Sequence, residues 1–335
     1  MGHRVQVTAR GPAVDRTRSE HVLVTGGAGF VGSHIVDLLL DRDGLRVTVL
    51  DRLTYAGNVD NLSRHRGNPR FDFVRGDVAD PEAVGRLVAR STSVIHAAAE
   101  SFVDRSIADP AEFVRTNVLG TQVVLEACHR AEKHLLVVST DEVYGSVRRG
   151  AFTEDDPLLP NSPYAATKAG ADLLCRAYRV TYGMPVTLVR GTNAFGPRQH
   201  VEKAIPTFAL AALAGGEVPV YGDGSNRREW LHVLDFARAV LTVEDSGHPG
   251  ETYNIGGGHE ISNLELARDV CRLAGASPSL IEFVPDRPGH DFRYALDWTR
   301  LAELGWKPEI RFADGLARTV DWYRDNAARL GGGRP

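Results

Sequence analysis

The segment HVLVTGGAGFVGS, residues 21–33, decides the fold class of this chain. It opens with an apolar, β-branched run that predicts a buried strand, and a predicted helix follows the glycines. Gly26, Gly29 and Gly32 are spaced three residues apart. The first permits a tight turn, the second lets a pyrophosphate approach the backbone, and the third lets the helix pack on the strand. The segment predicts a dinucleotide-binding loop, with a purely structural glycine turn as the alternative.

A carboxylate at the end of the second predicted strand indicates which dinucleotide would bind. The run RVTVLD, residues 46–51, predicts that strand, and Asp51 lies about 20 residues beyond Gly32. A carboxylate at this position accepts hydrogen bonds from the ribose hydroxyls of NAD and repels the 2′-phosphate of NADP. Asp51 therefore favours NAD, while Arg52, the next residue, leaves some tolerance of NADP open.

Strands and helices alternate from residue 21 to about residue 196. Further strands are predicted at FDFVRGD (71–77), SVIHAAA (93–99), HLLVVST (134–140) and PVTLVRG (185–191), and long helices at about 109–132 and 164–182. Such alternation predicts a parallel sheet covered by helices on both faces. We therefore expect an α/β fold, a Rossmann-type doubly wound parallel sheet, with ligands at the carboxyl ends of its strands.

The pattern loosens after about residue 196, where short strands and Gly/Pro turns replace the regular alternation. This change predicts a smaller C-terminal substrate-binding lobe. We expect the NAD-binding domain to comprise residues 21–196 with about 231–256, the smaller lobe about 197–230 with 257–328, and flexible ends at 1–20 and 330–335.

Composition excludes several functional classes. The 335 residues carry a net charge of −4, which suggests no nucleic-acid or membrane partner, and no apolar run reaches the length of a bilayer span. The three cysteines are far apart and odd in number, so neither a disulfide framework nor a zinc cluster is predicted. Histidine spacing gives no metal-ligand pattern, and no metal is expected. A reducing, cytoplasmic location fits these features.

The run STDEVYG, residues 139–145, places Thr140, Asp141 and Glu142 at the end of a predicted buried strand. Burying ionisable groups is costly unless they are paired or used in catalysis. Two close carboxyl groups whose environments separate their pKa values can supply one acid and one base. The run therefore predicts an acid–base pair, with a solvated strand-end turn as the alternative.

The run YAATK places Tyr164 and Lys168 four residues apart, so a helix presents both side chains on one face. A lysine ammonium beside a phenol lowers the pKa of the phenol, and the pair can then act as a general base on an alcohol. This spacing is common on exposed helix faces. The glycine loop in the same chain favours the catalytic interpretation.

Four motifs together resemble those of the extended short-chain dehydrogenases/reductases: the glycine loop, the strand-end aspartate, the hydroxyl after strand five and the Tyr-x-x-x-Lys pair. Thr-Asp-Glu narrows the resemblance to the dTDP-glucose 4,6-dehydratases, since related sugar epimerases carry Ser or Thr without a neighbouring acid pair. Further matching runs are LTYAGN (53–58), VEKAIP (201–206), REWLHVLDF (228–236) and RPGHDFRYALD (287–297). The resemblance covers about residues 21–325.

The resemblance implies a lyase that converts dTDP-glucose to dTDP-4-keto-6-deoxyglucose, with NAD tightly bound and regenerated in each turnover. Tyr164, supported by Lys168, would take the C4 hydroxyl proton while hydride passes from C4 to NAD, and Thr140 would hold the C4 oxygen. Glu142 would remove the C5 proton, and a protonated Asp141 would donate to the departing C6 hydroxyl. Hydride would then return to C6, and Glu142 would return a proton to C5.

The resemblance also implies two sets of binding residues. The cofactor set comprises Gly26, Gly29, Phe30, Val31, Gly32, Asp51, Asp77, Val78, Ala97, Ala98, Ala99, Thr116, Ser139, Tyr164, Lys168 and Asn193. The substrate set comprises Ser101, Thr140, Asn193, Glu202, Lys203, Tyr221, Arg228, Asn254, His290 and Arg293. Within it, Lys203, Arg228 and Arg293 are expected to bind the diphosphate, because arginine suits bidentate contact with phosphate.

Three positions depart from the family pattern. Phe102 stands where the family usually has His, and Ala194 and Phe195 replace polar residues expected near the sugar. These changes leave the preferred sugar open. The nucleotide is open for another reason, because backbone and packing contacts would hold most of its base. The family also forms homodimers through a four-helix bundle, which here would use the helices at about 109–132 and 164–182.

Two alternative functions remain at this point. A nucleotide-sugar 4-epimerase or decarboxylase of the same superfamily would lose no water, and the acid pair speaks against it. A non-catalytic dinucleotide-sensing protein would require a broken Tyr/Lys pair, whereas this chain has both residues.

Overall fold

The computed structural model describes residues 20–330. Apart from Glu20 and Leu330, the ends that we expected to be flexible lie outside the described residues. The strands are β1 His21–Thr25, β2 Arg46–Asp51, β3 Phe71–Arg75, β4 Ser93–His96, β5 His134–Thr140, β6 Val186–Gly191, β7 Asn193–Phe195, β8 Val218–Tyr221, β9 Arg227–His232, β10 Thr252–Ile255, β11 Glu260–Ser262 and β12 Ile281–Val284.

Helices fill most of the connections between these strands. The α-helices are α1 Phe30–Leu40, α2 Pro81–Arg90, α3 Val103–Ala108, α4 Ala111–Phe113, α5 Thr121–Arg130, α6 Pro163–Tyr182, α7 Ala204–Leu213, α8 Val233–Ser246, α9 Asn263–Ala274, α10 Thr299–Glu303 and α11 Phe312–Leu330. Short 3-10 segments occupy Val59–His65, Asp141–Tyr144 and Pro278–Leu280.

A seven-stranded parallel sheet forms the centre of the larger lobe, in the order β10-β6-β5-β4-β1-β2-β3. The strand order reverses between β1 and β4, which creates the crevice where doubly wound folds bind their ligands. One apolar layer packs α1 and α8 against the sheet, and a second packs α2, α5 and α6 against its other face. The predicted Rossmann-type α/β fold is confirmed.

The helix predicted at about 109–132 is interrupted. After α4 the chain forms a π-helical segment, Val114–Gly120, before α5 begins. The Thr121 hydroxyl donates to the Asn117 carbonyl oxygen (2.6 Å), and the Asn117 side chain bonds the backbone of Glu100 in both directions (2.9 and 3.0 Å). These hydrogen bonds connect the helix to the loop after β4 and stabilise the π-helical segment beside the crevice.

The smaller lobe packs over the carboxyl edge of the large sheet. It contains a three-stranded sheet, β11-β9-β7, and a parallel pair, β12-β8. Helices α7, α9 and α11 enclose an apolar core on these strands. Between β9 and β11 the chain returns to the large lobe, where α8 packs on α1 and β10 pairs with β6. The domain boundaries given above stay a prediction.

Candidate active site

A cavity of about 460 Å³ lies between the lobes at the carboxyl ends of the parallel strands. All sixteen residues of the predicted cofactor set line it, as do eight of the ten in the substrate set. Several polar atoms at its wall are buried without a hydrogen-bond partner among the described residues: Ser139 Oγ, Asp141 Oδ2, Asn193 Oδ1 and Arg287 Nε. Such orphaned groups fit a wall built to bind a polar ligand.

The glycine loop has the shape of a pyrophosphate cradle. Gly26 has φ +70°, and a Cβ there would lie 2.6 Å from the Ala98 backbone, so a side chain is excluded. A Cβ on Gly32 would strike the Gly26 carbonyl oxygen. Helix α1 begins after Gly29, and within the described chain no side chain caps it and no acid lies in its first turn. Its first amides are thus available to an anion.

Asp51 is fixed at the end of β2. Its two carboxylate oxygens accept hydrogen bonds from the backbone amides of Ala28 (2.9 Å) and Leu53 (2.8 Å). Burial raises the pKa of Asp51, and these two hydrogen bonds oppose the rise. The carboxylate therefore has a set orientation and faces the cavity where a ribose would lie next to the glycine loop.

The carboxyl end of β5 presents Thr140, Asp141 and Glu142 to the cavity. Thr140 is the N-cap of the 3-10 turn Asp141–Tyr144, and its hydroxyl oxygen accepts from the Glu142 amide (3.3 Å). The same hydroxyl donates to Asp141 Oδ1 (3.2 Å). Tyr144 anchors the far end of the turn, where its hydroxyl donates to Asn254 Oδ1 (2.8 Å). The turn is thus held at both ends.

The two carboxyl groups have different environments. Burial, then the negative charges of Glu142 and Glu229, raise the pKa of Asp141 well above its usual value. Burial also raises the pKa of Glu142, but the cations Arg287, Lys203 and Arg228 oppose the rise. Asp141 therefore retains a proton more readily than Glu142, which suits an acid at the first position and a base at the second.

Tyr164 and Lys168 lie on α6 and both line the cavity. Our expectation that lysine lowers the phenol pKa is wrong for this structure, since burial, followed by the charge of Glu142, raises the pKa of Tyr164 well above 10. Lys168 Nζ instead donates to the carbonyl oxygen of Val138 (2.8 Å). A hydrogen bond with Thr140 partly opposes the rise for Tyr164. The phenol is therefore protonated in this arrangement and is linked to the Thr140 hydroxyl.

Three cations reach the cavity from the smaller lobe. Arg228 donates to the carbonyl oxygens of Arg227, Phe292 and Asp291 (2.7–3.2 Å), which fix it without a carboxylate partner among the described residues. Lys203 Nζ donates to the Ser101 carbonyl oxygen (2.6 Å). Arg287, which sequence reasoning missed, is the third. Arg287 is the first residue of the RPGHDFRYALD run, which matches the family pattern. The sequence interpretation selected Arg293 from this run and not Arg287.

Two predicted substrate residues lie outside the cavity. Arg293 is ion-paired with Glu260 (2.7 Å) and donates to the Gly150 carbonyl oxygen (2.8 Å), so its guanidinium is already engaged away from the cavity. Asn254 is fully buried in β10, where its amide nitrogen donates to the carbonyl oxygens of Phe152 and Asp297. Both predictions are therefore corrected. Arg293 connects Glu260 to Gly150, and Asn254 accepts a hydrogen bond from the Tyr144 hydroxyl.

The three departures from the family pattern have different surroundings. Phe102 lines the cavity, and Lys203 Nζ lies 5.6 Å from the centroid of its ring. Ala194 also lines the cavity. Phe195 does not, because its ring is fully buried against Trp230 and His232 in the core of the smaller lobe. The expected loss of a polar group near the sugar thus applies to Ala194 and not to Phe195.

The described residues carry neither a metal-ligand cluster nor a membrane-spanning helix. Within residues 20–330, no group of three or more His, Cys, Asp or Glu could hold a metal ion. The described helices include none that is both long and apolar enough to cross a membrane. The three cysteines, all within the described range, are buried and free. His96 is a core residue that contacts the hydroxyls of Thr25 and Thr121 (2.7 and 3.0 Å), and burial lowers its pKa to about 3.

Comparisons with known proteins agree with this geometry. The family model described as GDP-mannose 4,6 dehydratase matches residues 23–319. A dTDP-glucose 4,6-dehydratase from Streptomyces niveus is 52% identical over 314 residues, which are 92% of this chain and 94% of that protein. The crystal structure of the dTDP-glucose 4,6-dehydratase from Streptomyces venezuelae, with NAD bound, is 50% identical, has a TM-score of 0.90 and covers 92% of this chain and 98% of that one.

A protein with a related activity has the same fold at lower sequence identity. The UDP-glucose 4-epimerase from Thermotoga maritima, solved with UDP-glucose, is 32% identical with a TM-score of 0.85, and covers 92% of this chain and 99% of that one. Backbone similarity alone therefore does not separate dehydration from epimerisation.

Proposed function

The chain belongs to the dTDP-glucose 4,6-dehydratases, within the family described as GDP-mannose 4,6 dehydratase, and from this membership we propose that it converts dTDP-glucose to dTDP-4-keto-6-deoxyglucose with NAD as cofactor. The observation that carries the proposal is the pair Asp141 and Glu142 at the end of β5, one carboxyl favoured as acid and the other as base. Elimination of water across C5 and C6 needs one of each.

The cofactor fits the crevice at the strand-order reversal. The uncapped first amides of α1 would bind its pyrophosphate, Asp51 its adenosine ribose, and Asp77 and Val78 would flank the adenine. When bound, NAD supplies chemistry that this chain lacks, the acceptance of hydride from C4 of the sugar and its return to C6. Regeneration within each turnover is consistent with a cofactor that stays bound.

Tyr164 starts the reaction by accepting the C4 hydroxyl proton. In the structure its phenol is protonated and linked to Thr140. The phenol must therefore release its own proton to solvent before it accepts the C4 proton, and a nearby positive charge favours the resulting phenolate. Lys168, four residues on, contributes positive charge to the same end of the cavity. Thr140 holds the C4 oxygen while the ketone forms.

Asp141 and Glu142 perform the elimination. The C4 ketone acidifies the C5 hydrogen, and Glu142 accepts that proton. Asp141 donates its own proton to the C6 hydroxyl, which leaves as water, so the C5–C6 bond becomes a double bond. Glu142 then returns its proton to C5, and with the hydride that bound NAD would supply at C6 the 4-keto-6-deoxy sugar would be complete.

The diphosphate binds the cations of the smaller lobe. Arg228 is held rigidly by backbone carbonyl oxygens, and Arg287 has a buried Nε without a partner in the described chain, so both can receive phosphate oxygens. Lys203 Nζ donates to the Ser101 carbonyl oxygen (2.6 Å), and its positive charge also opposes the rise in the pKa of Glu142. We assign Arg228 and Arg287 to the diphosphate and Lys203 to the region between sugar and phosphate. Glu202, Tyr221, His290 and Ser101 complete the predicted contacts around the substrate.

Incubation with dTDP-glucose tests the proposal directly. The expected product has lost one water without net consumption of NAD. A C4 epimer of unchanged mass would instead support the epimerase alternative. UDP-glucose and GDP-glucose run in parallel test the nucleotide, for which dTDP is the prediction that the relatives support.

We propose that the protein forms a homodimer through the face shared by α5, α6 and the π-helical segment. These elements pack together and present a set of exposed apolar side chains: Val114, Leu119, Leu173, Val180 and Tyr182. Val123 and Val124 on α5 do not belong to this set, because both are buried in the core. A second copy of this helix pair would cover the exposed set and form a four-helix bundle. The cytoplasmic location stays a prediction from cysteine usage.

A further inference from the structure

We propose that Glu112 determines cofactor selectivity by binding Arg52 and so withholding it from a 2′-phosphate, an inference that rests on the proposed NAD function. Arg52 follows Asp51 and lines the cavity beside it. An arginine near this position is the usual means by which such folds accept NADP. Arg52 is thus the residue that would relax the preference set by Asp51.

The structure shows that Arg52 is already engaged. Its Nη1 donates to Glu112 Oε2 (2.9 Å), and its Nε lies 3.6 Å from Asp77 Oδ2. The hydrogen bond to Glu112 is the largest cause that raises the pKa of Arg52. Asp77 itself is fixed by Arg115 Nη2 (2.5 Å) and by the Ala79 amide (2.8 Å). Glu112 is therefore the partner that Arg52 would have to leave.

The surrounding charge reinforces this effect. Four carboxyl groups, those of Asp51, Asp77, Glu100 and Glu112, surround two arginines at this end of the cavity. A doubly charged 2′-phosphate would meet this negative excess and would find the guanidinium of Arg52 occupied. The ribose hydroxyls of NAD bring no charge and need only the Asp51 carboxylate.

Glu112 lies on α4 and is half exposed, with 51% of its side chain accessible, so its substitution should leave the fold intact. Glu112→Gln keeps the shape and removes the charge, which frees Arg52 to bind phosphate. Glu82→Gln is the matched control, because Glu82 is an exposed α2 glutamate that pairs with Arg86 outside the cavity.

The readout is nucleotide occupancy, which does not depend on any sugar substrate. The resident nucleotide is first removed from full-length protein. The protein is then equilibrated with an equal mixture of NAD⁺ and NADP⁺ in excess, separated from free nucleotide and denatured, and the released nucleotides are quantified by chromatography. We expect Glu112→Gln to raise the bound NADP⁺/NAD⁺ ratio about tenfold at low ionic strength, as loss of one charge-assisted hydrogen bond implies. Arg52→Ala alone should leave the ratio within about twofold of the original.

The double variant Glu112→Gln/Arg52→Ala should lose the gain, since the freed arginine is its cause. An unchanged ratio in Glu112→Gln, an equal rise in Glu82→Gln, or a gain that survives in the double variant would overturn the proposal. A fall in bound NADP⁺ in Arg52→Ala alone would also overturn it, because Arg52 would then be available already. Failure to bind either nucleotide would contradict the proposed function instead.

Discussion

The hydroxyl oxygen of Thr140 accepts a hydrogen bond from the backbone amide of Glu142 at 3.3 Å, so the last residue of β5 caps the turn that carries Asp141 and Glu142, the two carboxyl groups proposed for catalysis. The same hydroxyl donates to Asp141 and is hydrogen-bonded to Tyr164. One side chain thus connects the group proposed for C4 chemistry with the two proposed for C5 and C6.

Replacement of this hydroxyl should affect stability and catalysis together. Thr140→Val keeps the shape but removes the cap, and we expect a loss of about 1 kcal/mol in the free energy of unfolding. We also expect kcat to fall about 10²-fold, because the Asp141 carboxyl group and the C4 oxygen lose a partner and the turn that carries Glu142 loses its cap. Thr140→Ser should restore most of both quantities. Equal activity in the Val and Ser variants, measured by product formation, would contradict this role.

Asp141 should make the folded protein less stable as the pH rises. Its pKa in the folded state is well above that of an unfolded aspartate, so the folded state binds more protons and loses stability between those two values. Asp141→Asn removes the carboxyl while nearly keeping its shape. The midpoint of thermal unfolding of this variant, relative to the original, should therefore increase with pH above about 4. A difference that stays constant with pH would show that Asp141 is not held protonated.

Asp141→Asn should also abolish turnover while it stabilises the protein. We expect at least a 10²-fold loss of product formation, the usual contribution of a general acid. Retained C5 hydrogen exchange in this variant would place the defect at departure of the C6 hydroxyl. If product forms at the original rate, Asp141 is not the acid.

Two adjacent arginines allow a controlled test of diphosphate binding, because only one of them lines the cavity. Arg228 lies in the cavity, whereas Arg227 is ion-paired with Glu260 outside it. We expect Arg228→Ala to raise KM for dTDP-glucose about 10–100-fold, as loss of charge-assisted phosphate contacts implies, and Arg227→Ala to change it less than about twofold. Calorimetric titration with dTDP gives an independent reading. Similar losses in both variants would point to general electrostatics and away from a specific contact.

The proposed dimer face can be tested by comparing an exposed apolar residue on it with one elsewhere on the surface. Leu173 on α6 has 56% of its surface exposed, and Phe283 on the edge strand β12 has 53% exposed. Leu173→Asp places a charge on the proposed interface and should convert the dimer to a monomer in sedimentation velocity experiments. Phe283→Asp should leave the sedimentation coefficient unchanged. A monomeric original protein, or a dimer unaffected by Leu173→Asp, would reject this interface.

The sequence predicted most of the large lobe because local rules and packing agree there. Gly26 and Gly32 are required by close backbone contacts, and the strand-end residues Asp51 and Thr140 follow apolar runs whose burial fixes their direction. A parallel sheet then brings distant strand ends to one edge. The topology of the sheet is therefore enough to predict that these residues line the cavity, without knowledge of their side-chain contacts.

Predictions failed where side-chain partners decide the outcome. Arg287 and Arg293 lie six residues apart in a turn-rich segment, and only the ion pair with Glu260 shows that Arg293 is occupied. Phe195 belongs to a three-residue strand, whose alternation is too short to distinguish core from cavity. The raised pKa of Tyr164 depends on its burial and on Glu142, neither of which the Tyr-x-x-x-Lys spacing contains.

The most direct test of the account is the reaction with dTDP-glucose in D₂O, followed by mass spectrometry and proton NMR. We predict a 4-keto-6-deoxy product that has lost one water and carries deuterium at C5, because Glu142 exchanges its proton with solvent. Glu142→Gln should abolish both the water loss and the deuterium while the fold, checked by circular dichroism, is unchanged. An epimer of unchanged mass, or a dehydrated product that retains the original C5 hydrogen, would contradict the role assigned to the Asp141 and Glu142 pair.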